Sequence, residues 1–270
     1  MNADLAAVLE YLQGIGWEEI YAPAPRPRAS GANPRASAAA ATTAPASRAA
    51  ATLAPASRAA AIQAAMAPPI ATAPPAPTAP AGERAAELAQ VATVAGACTR
   101  CRLAQGRRTV VFGTGNPDAD LMFIGEGPGA EEDRQGLPFV GPAGQLLTRI
   151  IGAIGLARED VYIANVVKCR PPGNRDPQPD EVAACRGFLE QQVRLIAPRV
   201  IVALGRIAGQ TLLGNELPVG RLRGSWHRVF GVPLRVTYHP AALLRNDALK
   251  RPTWDDMQVV RDRLTGDVAR

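Results

Sequence analysis

No stretch of this 270-residue chain approaches the ~20 consecutive apolar residues that span a bilayer, so no membrane segment is expected. The first 22 residues carry no base, which excludes the positively charged start of a secretory signal, and their acids argue against an organelle transit peptide. A cytoplasmic protein, nucleoid-associated as in bacteria, is the expectation. Residues 23–82 carry no acid and too few large apolar side chains to build a core, which excludes a folded domain there. Cysteine is scarce, with four residues, and a disulfide framework is not expected in a reducing compartment. Nothing suggests a heptad or a second interface, so a monomer is expected.

What remains divides into three. Residues 1–22 have a net charge of −4 and an amphipathic stripe of Leu5, Val8, Leu9 and Leu12. Too short to be stable alone, this helix over residues 2–21 reads as an element that packs back or docks on a partner, such as a replication or repair protein. Residues 23–82 are an Ala/Pro tether of charge +5, in which APASRAAA occurs at 44–51 and again at 54–61. The domain proper, residues 83–270, has 188 residues and the remaining +5. That charge is compatible with a polyanionic partner.

Within the domain, apolar runs alternate with helical patterns. Strands are expected at LMFI (121–124), VYIANVVK (161–168), RVIVALG (199–205) and PLRVTYHP (233–240). Helices are expected at 83–98, after 141, at 180–198, 206–214 and 253–264. Strands that are apolar throughout and separated by helices predict a mainly parallel sheet covered on both faces, a three-layer α/β/α domain.

The stretch that organises the domain is GEGPGAEEDRQGLPFVG, residues 125–141, with five glycines and two prolines between a strand and a helix. Open α/β sheets place ligands at such strand ends, and glycines at 125, 127 and 129 allow close backbone approach. The loop also holds Glu126, Glu131, Glu132 and Asp133, then Phe139. Two other strand ends carry chemistry. Asn165 offers a carboxamide donor and acceptor able to read the edge of a base or another amide-like ligand. His239 lies on the same rim as the glycine-rich loop, in YHPAALLRN. The other histidine, His227, falls in GSWHRVFG between strands and receives no role. Cys98-x2-Cys101 with Cys169-x15-Cys185 has the makings of a four-thiolate site, and spacing alone leaves zinc and iron–sulfur both open.

Taken together, GEGPGAEEDRQGLPFVG, NVVKC, HPAALL and the four cysteines resemble the iron–sulfur uracil-DNA glycosylases of type four, over residues 90–264. The resemblance implies a four-stranded parallel sheet, a 4Fe–4S cluster on Cys98, Cys101, Cys169 and Cys185, and excision of uracil from single- or double-stranded DNA to begin base excision repair. It implies that Phe139 stacks on the flipped base, that Asn165 reads its polar edge, and that His239 and loop N–H groups hold uracil O2. Leu244, or Leu243, would fill the gap the base leaves, with nearby Arg and Lys on phosphates. Aligned on G-x-x-P, the place of the water-assisting Asp of the best-known uracil glycosylases is Gly127, grouped here with the substrate-contacting residues. The carboxylate must then come from elsewhere: Glu132 first, then Glu126 and Asp133. A related group that bonds covalently to the abasic sugar has a histidine in the segment after the Asn strand. Here that segment has none, which disfavours a covalent step. The alternatives to a monofunctional glycosylase are a non-catalytic uracil- or DNA-binding module and a metal-bearing scaffold of a repair complex.

Overall fold

Four apolar segments lie side by side as parallel strands in a computed structural model that describes residues 81–266. They are β2 (Leu121–Gly125), β3 (Tyr162–Asn165), β4 (Val200–Leu204) and β6 (Val232–Thr237). Every residue of β2, β3 and β4 is buried, as expected when helices cover both faces. The expected helix over 2–21 lies outside the described residues, as does the expected tether over 23–82 except for residues 81 and 82, which open a helix.

Among the described residues the sheet has six strands rather than the expected four, β1 (Thr114–Gly115) and β5 (Trp226–Val229) flanking the parallel set in the order β1-β3-β2-β4-β6-β5. The extra two are antiparallel edges: β1 on β3, and β5 on β6. Neither advertises itself in sequence. β1 has only two residues, and β5 is mostly half-exposed, so no apolar run marks it. β5 and β6 form a hairpin through Phe230 and Gly231, both at positive φ (49° and 75°), the backbone of a tight primed turn. His227 therefore sits inside a strand, its Nε2 2.7 Å from the Leu222 carbonyl oxygen.

The helices are α1 (Ala81–Gly96), α2 (Ala130–Gln135), α3 (Pro142–Ala153), α4 (Pro179–Ile196), α5 (Gly205–Leu213), α6 (Val219–Leu222), α7 (Pro240–Leu243) and α8 (Lys250–Thr265). From β2 the chain crosses by α3 to β3, then turns back over β2 by α4 to β4, and on by α5 to β6. Right-handed crossovers in opposite directions put α3 on one face and α4 and α5 on the other. The packing of α1 on α4, and of α7 on α3, agrees with these two layers. The reversal of direction makes the C-terminal end of β2 a topological switch point, where such sheets open a crevice. Gly125, Glu126 and the glycine-rich loop begin there.

The end of β6 is pinned from outside the sheet. Asp256 of α8, fully buried, accepts from Arg235 Nε and Nη2 (3.1 and 2.8 Å), Arg223 Nε (3.0 Å) and Thr237 Oγ1 (2.9 Å). A buried carboxylate with that many donors is compensated, and losing one partner would strand a charge. Thr237 is two residues before His239, so this network sets where the histidine leaves the sheet.

Candidate active site and cysteine recess

Gly125 and Asn165 are register partners at the ends of β2 and β3, which sets the Asn165 side chain beside a residue with none. A Cβ on Gly125 would stand 2.4 Å from Asn165 Oδ1 and 2.6 Å from Phe139 Cζ. Only glycine leaves room for both groups. Asn165 is buried, and its Oδ1 has no hydrogen-bond partner. A buried orphan acceptor costs on the order of 1–3 kcal/mol, a cost that a ligand bringing a donor would remove.

Phe139 supplies a wall. Its ring centroid lies 5.6 Å from that of His239, tilted by 32°. Its backbone is left-handed, with φ at 52°, which for a bulky side chain costs on the order of 1–3 kcal/mol. The surrounding contacts hold it there. Val140 and Gly141 each donate a backbone N–H to Glu132 Oε1 at 3.0 Å, and Arg158 Nη2 donates to the Pro138 carbonyl at 2.7 Å. Gly144 of α3 lies against the same backbone, where an added Cβ would be 1.8 Å from the Phe139 carbonyl oxygen.

His239 is the N-terminal cap of α7. The Ala241 N–H donates to its Nδ1 at 3.1 Å, so the neutral ring carries its proton on Nε2. Burial, aided by the positive charge of Arg245, pushes its pKa down to about 4, against a smaller upward pull from Glu132. The imidazole is neutral at physiological pH and presents an N–H donor. Gly205 at φ 90° makes space for it, since a Cβ there would sit 2.8 Å from His239 Cβ.

The four acids divide sharply. Glu132, first choice from the sequence, is occupied with holding the loop: besides the two bonds to Oε1, its Oε2 accepts from the Gly129 N–H at 3.1 Å. Asp133 is buried, and its Oδ1 accepts from the Arg108 and Thr109 N–H groups at 2.9 and 3.4 Å. Glu131 is exposed and pairs with Arg134. Glu126 alone has a different character. Burial, reinforced by the charge of Asp176 and opposed by that of Arg206, raises its pKa to about 7. The acids at 131–133 form the first turn of α2, an element absent from the sequence reading because six residues give no readable period.

At Gly127, an added Cβ would lie 2.8 Å from Val167 Cγ2. A side chain there requires the Val167 side chain to give way. Leu243 is fully buried and Leu244 is 48% exposed, so of the two leucines only Leu244 can reach a partner. Arg245 beside it is also exposed.

Apart from the group of Asn165, Phe139 and His239, the cysteines Cys98, Cys101, Cys169 and Cys185 line one recess. Three pieces of chain meet here: the turn after α1 with Cys98 and Cys101, the segment after β3 with Cys169, and α4 with Cys185. The sulfurs accept N–H donors, from Arg100 Nε to Cys98 (3.4 Å), Arg107 Nη1 to Cys169 (3.3 Å) and the Lys168 backbone to Cys185 (3.3 Å). Burial pushes the Cys169 and Cys185 thiols up. At Cys98 the hydrogen bonds and charge of Arg100, with Arg107, outweigh burial and lower the thiol. Among the described residues no three or more His, Cys, Asp or Glu side chains are grouped as for a single metal ion. Four sulfurs around one recess, with donors aimed at them, fit a larger thiolate-held group.

Sequence reasoning passed over one residue that ties the two sites together. Lys168 is completely buried, its Nζ donating to the Asn165 carbonyl at 2.8 Å and to Gln192 Oε1. Its signal was visible: a lysine closing the apolar run VYIANVVK. Arg158 was missed as well, being an ordinary arginine in a polar turn.

Comparison with known proteins identifies the family. The model of the uracil DNA glycosylase superfamily matches residues 112–258. The chain is 48% identical over 167 residues to the type-4 uracil-DNA glycosylase of Thermotoga maritima, covering 60% of this chain and 86% of that one. It is 44% identical over 177 residues to the type-4 enzyme of Saccharolobus solfataricus, covering 62% and 82%. A type-5 uracil-DNA glycosylase of Thermus thermophilus is more distant, 37% identical over 120 residues, or 39% of this chain and 54% of that one. With strand-end residues in these places and that coverage, the chain belongs to the uracil DNA glycosylase superfamily, in its type-4 group.

Proposed function

We propose that this chain is a monofunctional uracil-DNA glycosylase that hydrolyses the N-glycosidic bond of uracil in DNA and so initiates base excision repair. The observation that carries the reading is the buried, unpartnered Oδ1 of Asn165 beside the Phe139 ring. Uracil presents N3–H as a donor and O4 as an acceptor, which an Asn carboxamide meets with its oxygen and its amide. Cytosine presents the opposite pattern at those atoms and would leave both pairs unmade, which discriminates strongly in a buried site. The target nucleotide must leave the stack to reach this pocket, and Leu244 is the side chain exposed to fill its place.

As the glycosidic bond breaks, charge develops on the departing base. The neutral His239, with its proton on Nε2, is the donor for O2, acting from a preorganised position. Glu126 takes the carboxylate role first given to Glu132, because its oxygens are not spent on the loop and its pKa near 7 suits a base that accepts a proton from water. The proton moves from water to Glu126, and the hydroxyl joins the sugar carbon as the base leaves.

The four cysteines are proposed to hold an iron–sulfur cluster. Bound there, it would cross-link the turn after α1 to the segment that follows Asn165. The hydrolysis needs no electron transfer, so its part is structural.

The test is excision from an oligonucleotide carrying one uracil, opposite G, opposite A or unpaired. The wild type is expected to give alkali-labile product, and Asn165→Ala to lower the single-turnover rate by about 10²-fold or more. A folded, DNA-binding wild type that yields no product would leave a non-catalytic uracil-binding module as the reading.

A further inference from the structure

Phe139 makes the base pocket depend on a backbone conformation that phenylalanine disfavours, and two charged side chains hold it from opposite sides. On the C-terminal side Glu132 Oε1 accepts the Val140 and Gly141 N–H groups. On the N-terminal side, Arg158 Nη2 donates to the Pro138 carbonyl at 2.7 Å, while Nη1 donates to Thr148 Oγ1 of α3 at 3.0 Å. The rigid guanidinium fork thus ties the peptide leading into Phe139 to a helix of the core. Arg158 lies in a short 3₁₀ turn (Arg158–Asp160) before β3, and both of these bonds go to the support of the pocket rather than into it.

We propose that Arg158 is a positioning residue for base binding: by fixing the Pro138 carbonyl it keeps Phe139 left-handed and its ring against Gly125, where the base stacks. This rests on the reading of Phe139 as the stacking surface. A left-handed φ of 52° at a bulky residue persists only where its surroundings over-determine it, and Arg158 supplies the hydrogen-bonded restraint on the N-terminal side. Without it, the peptide before Phe139 is free to relax toward an extended conformation, and the ring leaves the base plane. Burial lowers the Arg158 pKa while the charge of Glu132 opposes the shift, which agrees with two opposite charges flanking one segment.

The experiment is a double-mutant cycle between Arg158→Met and Phe139→Ala in the full-length protein as purified with its metal content verified. The readouts are inhibition by free uracil, single-turnover excision on a single-stranded uracil oligonucleotide, and thermal midpoint. Arg158→Met is expected to weaken free-uracil inhibition roughly tenfold, with a similar loss in rate, and to do neither in the Phe139→Ala background. Arg158→Lys, which keeps one donor for Pro138, should restore part of the loss. A merely structural arginine would lower the thermal midpoint in both backgrounds and shift uracil inhibition equally in both, or in neither; either result overturns the inference. Should Arg158→Met be insoluble, Arg158→Lys combined with Thr148→Val decides on the same readouts. If the wild type itself is not inhibited by free uracil, the base-pocket reading fails and takes this one with it. A wild type that is inhibited, with an unaffected Arg158→Met, overturns this inference alone.

Discussion

The base pocket and the cysteine recess lie on one stretch of chain, yet they are prepared for opposite guests. Asn165 ends β3 in the pocket, and Cys169 lines the recess four residues later. In the pocket, polar groups are left short of partners or charge: Asn165 Oδ1 is unbonded, His239 is neutral, and Glu126 holds its proton to about pH 7. In the recess the sulfurs are supplied with donors from Arg100, Arg107 and the Lys168 backbone. On the proposed reading, a neutral base that brings its own N–H donor would complete the first site. A metal held by anionic thiolates would complete the second. Unsatisfied polarity marks where a ligand comes and goes, and compensated polarity marks where one stays.

The hardest test of that contrast is Cys169→Ala. If the recess is structural, this change should remove the iron and lower the thermal midpoint by about 10 °C or more, since metal binding is then part of the folding free energy. Protein that remains folded should still be inhibited by free uracil. Iron analysis, a melt and an inhibition assay check it. A soluble, stable, colourless but inactive variant would show that the recess takes part in the chemistry.

Glu126→Gln probes the pocket alone and should cut single-turnover excision about 10²-fold at pH 8. It also carries a stability signature of definite sign. The folded wild type keeps the Glu126 proton up to about pH 7, whereas the unfolded chain releases it near 4.5. Between those values the unfolded state binds fewer protons, so the wild type loses stability relative to the Glu126→Gln variant as pH rises, by roughly 1–2 kcal/mol after discounting for partial exposure. His239 acts in the opposite sense. Its folded pKa near 4 against 6.5 makes the fold gain stability as pH rises through that window, in wild type and variant alike. Melts from pH 4 to 9 on both proteins isolate the Glu126 part. Parallel curves would remove Glu126 as the buried base.

Leu244→Ala is the gentlest change. Excision from duplex DNA should fall about threefold to tenfold, while excision from single strands stays within about twofold, because only a duplex has a gap to fill. Equal losses on both substrates would place Leu244 against the base itself rather than in the stack.

Much of this was legible without coordinates. The four parallel strands announce themselves as short apolar runs because both of their faces are covered. The two edge strands do not, because β1 is two residues long and β5 is half-exposed. Asn165 and His239 could be named because each sits at or just past a strand end, and Phe139 because it closes the glycine-rich motif that follows another strand end on the same rim. The sequence reading puts Glu132 ahead of Glu126. Nothing in AEED says that one carboxylate will accept backbone N–H groups eight and nine residues further on.

The amino-acid order by itself therefore determined the layer architecture, the strand-end chemistry and the set of four cysteines, since these follow from periodicity and from residue types that do little else. Tertiary structure decided which leucine faces solvent, which carboxyl keeps its proton, and that Lys168 and Arg158 brace the pocket from behind. Those outcomes depend on burial and on hydrogen-bond partners brought in from other elements, such as Gln192 for Lys168, 24 positions away, and Pro138 for Arg158, 20 away. Such groups meet only once the sheet and its crossovers have closed.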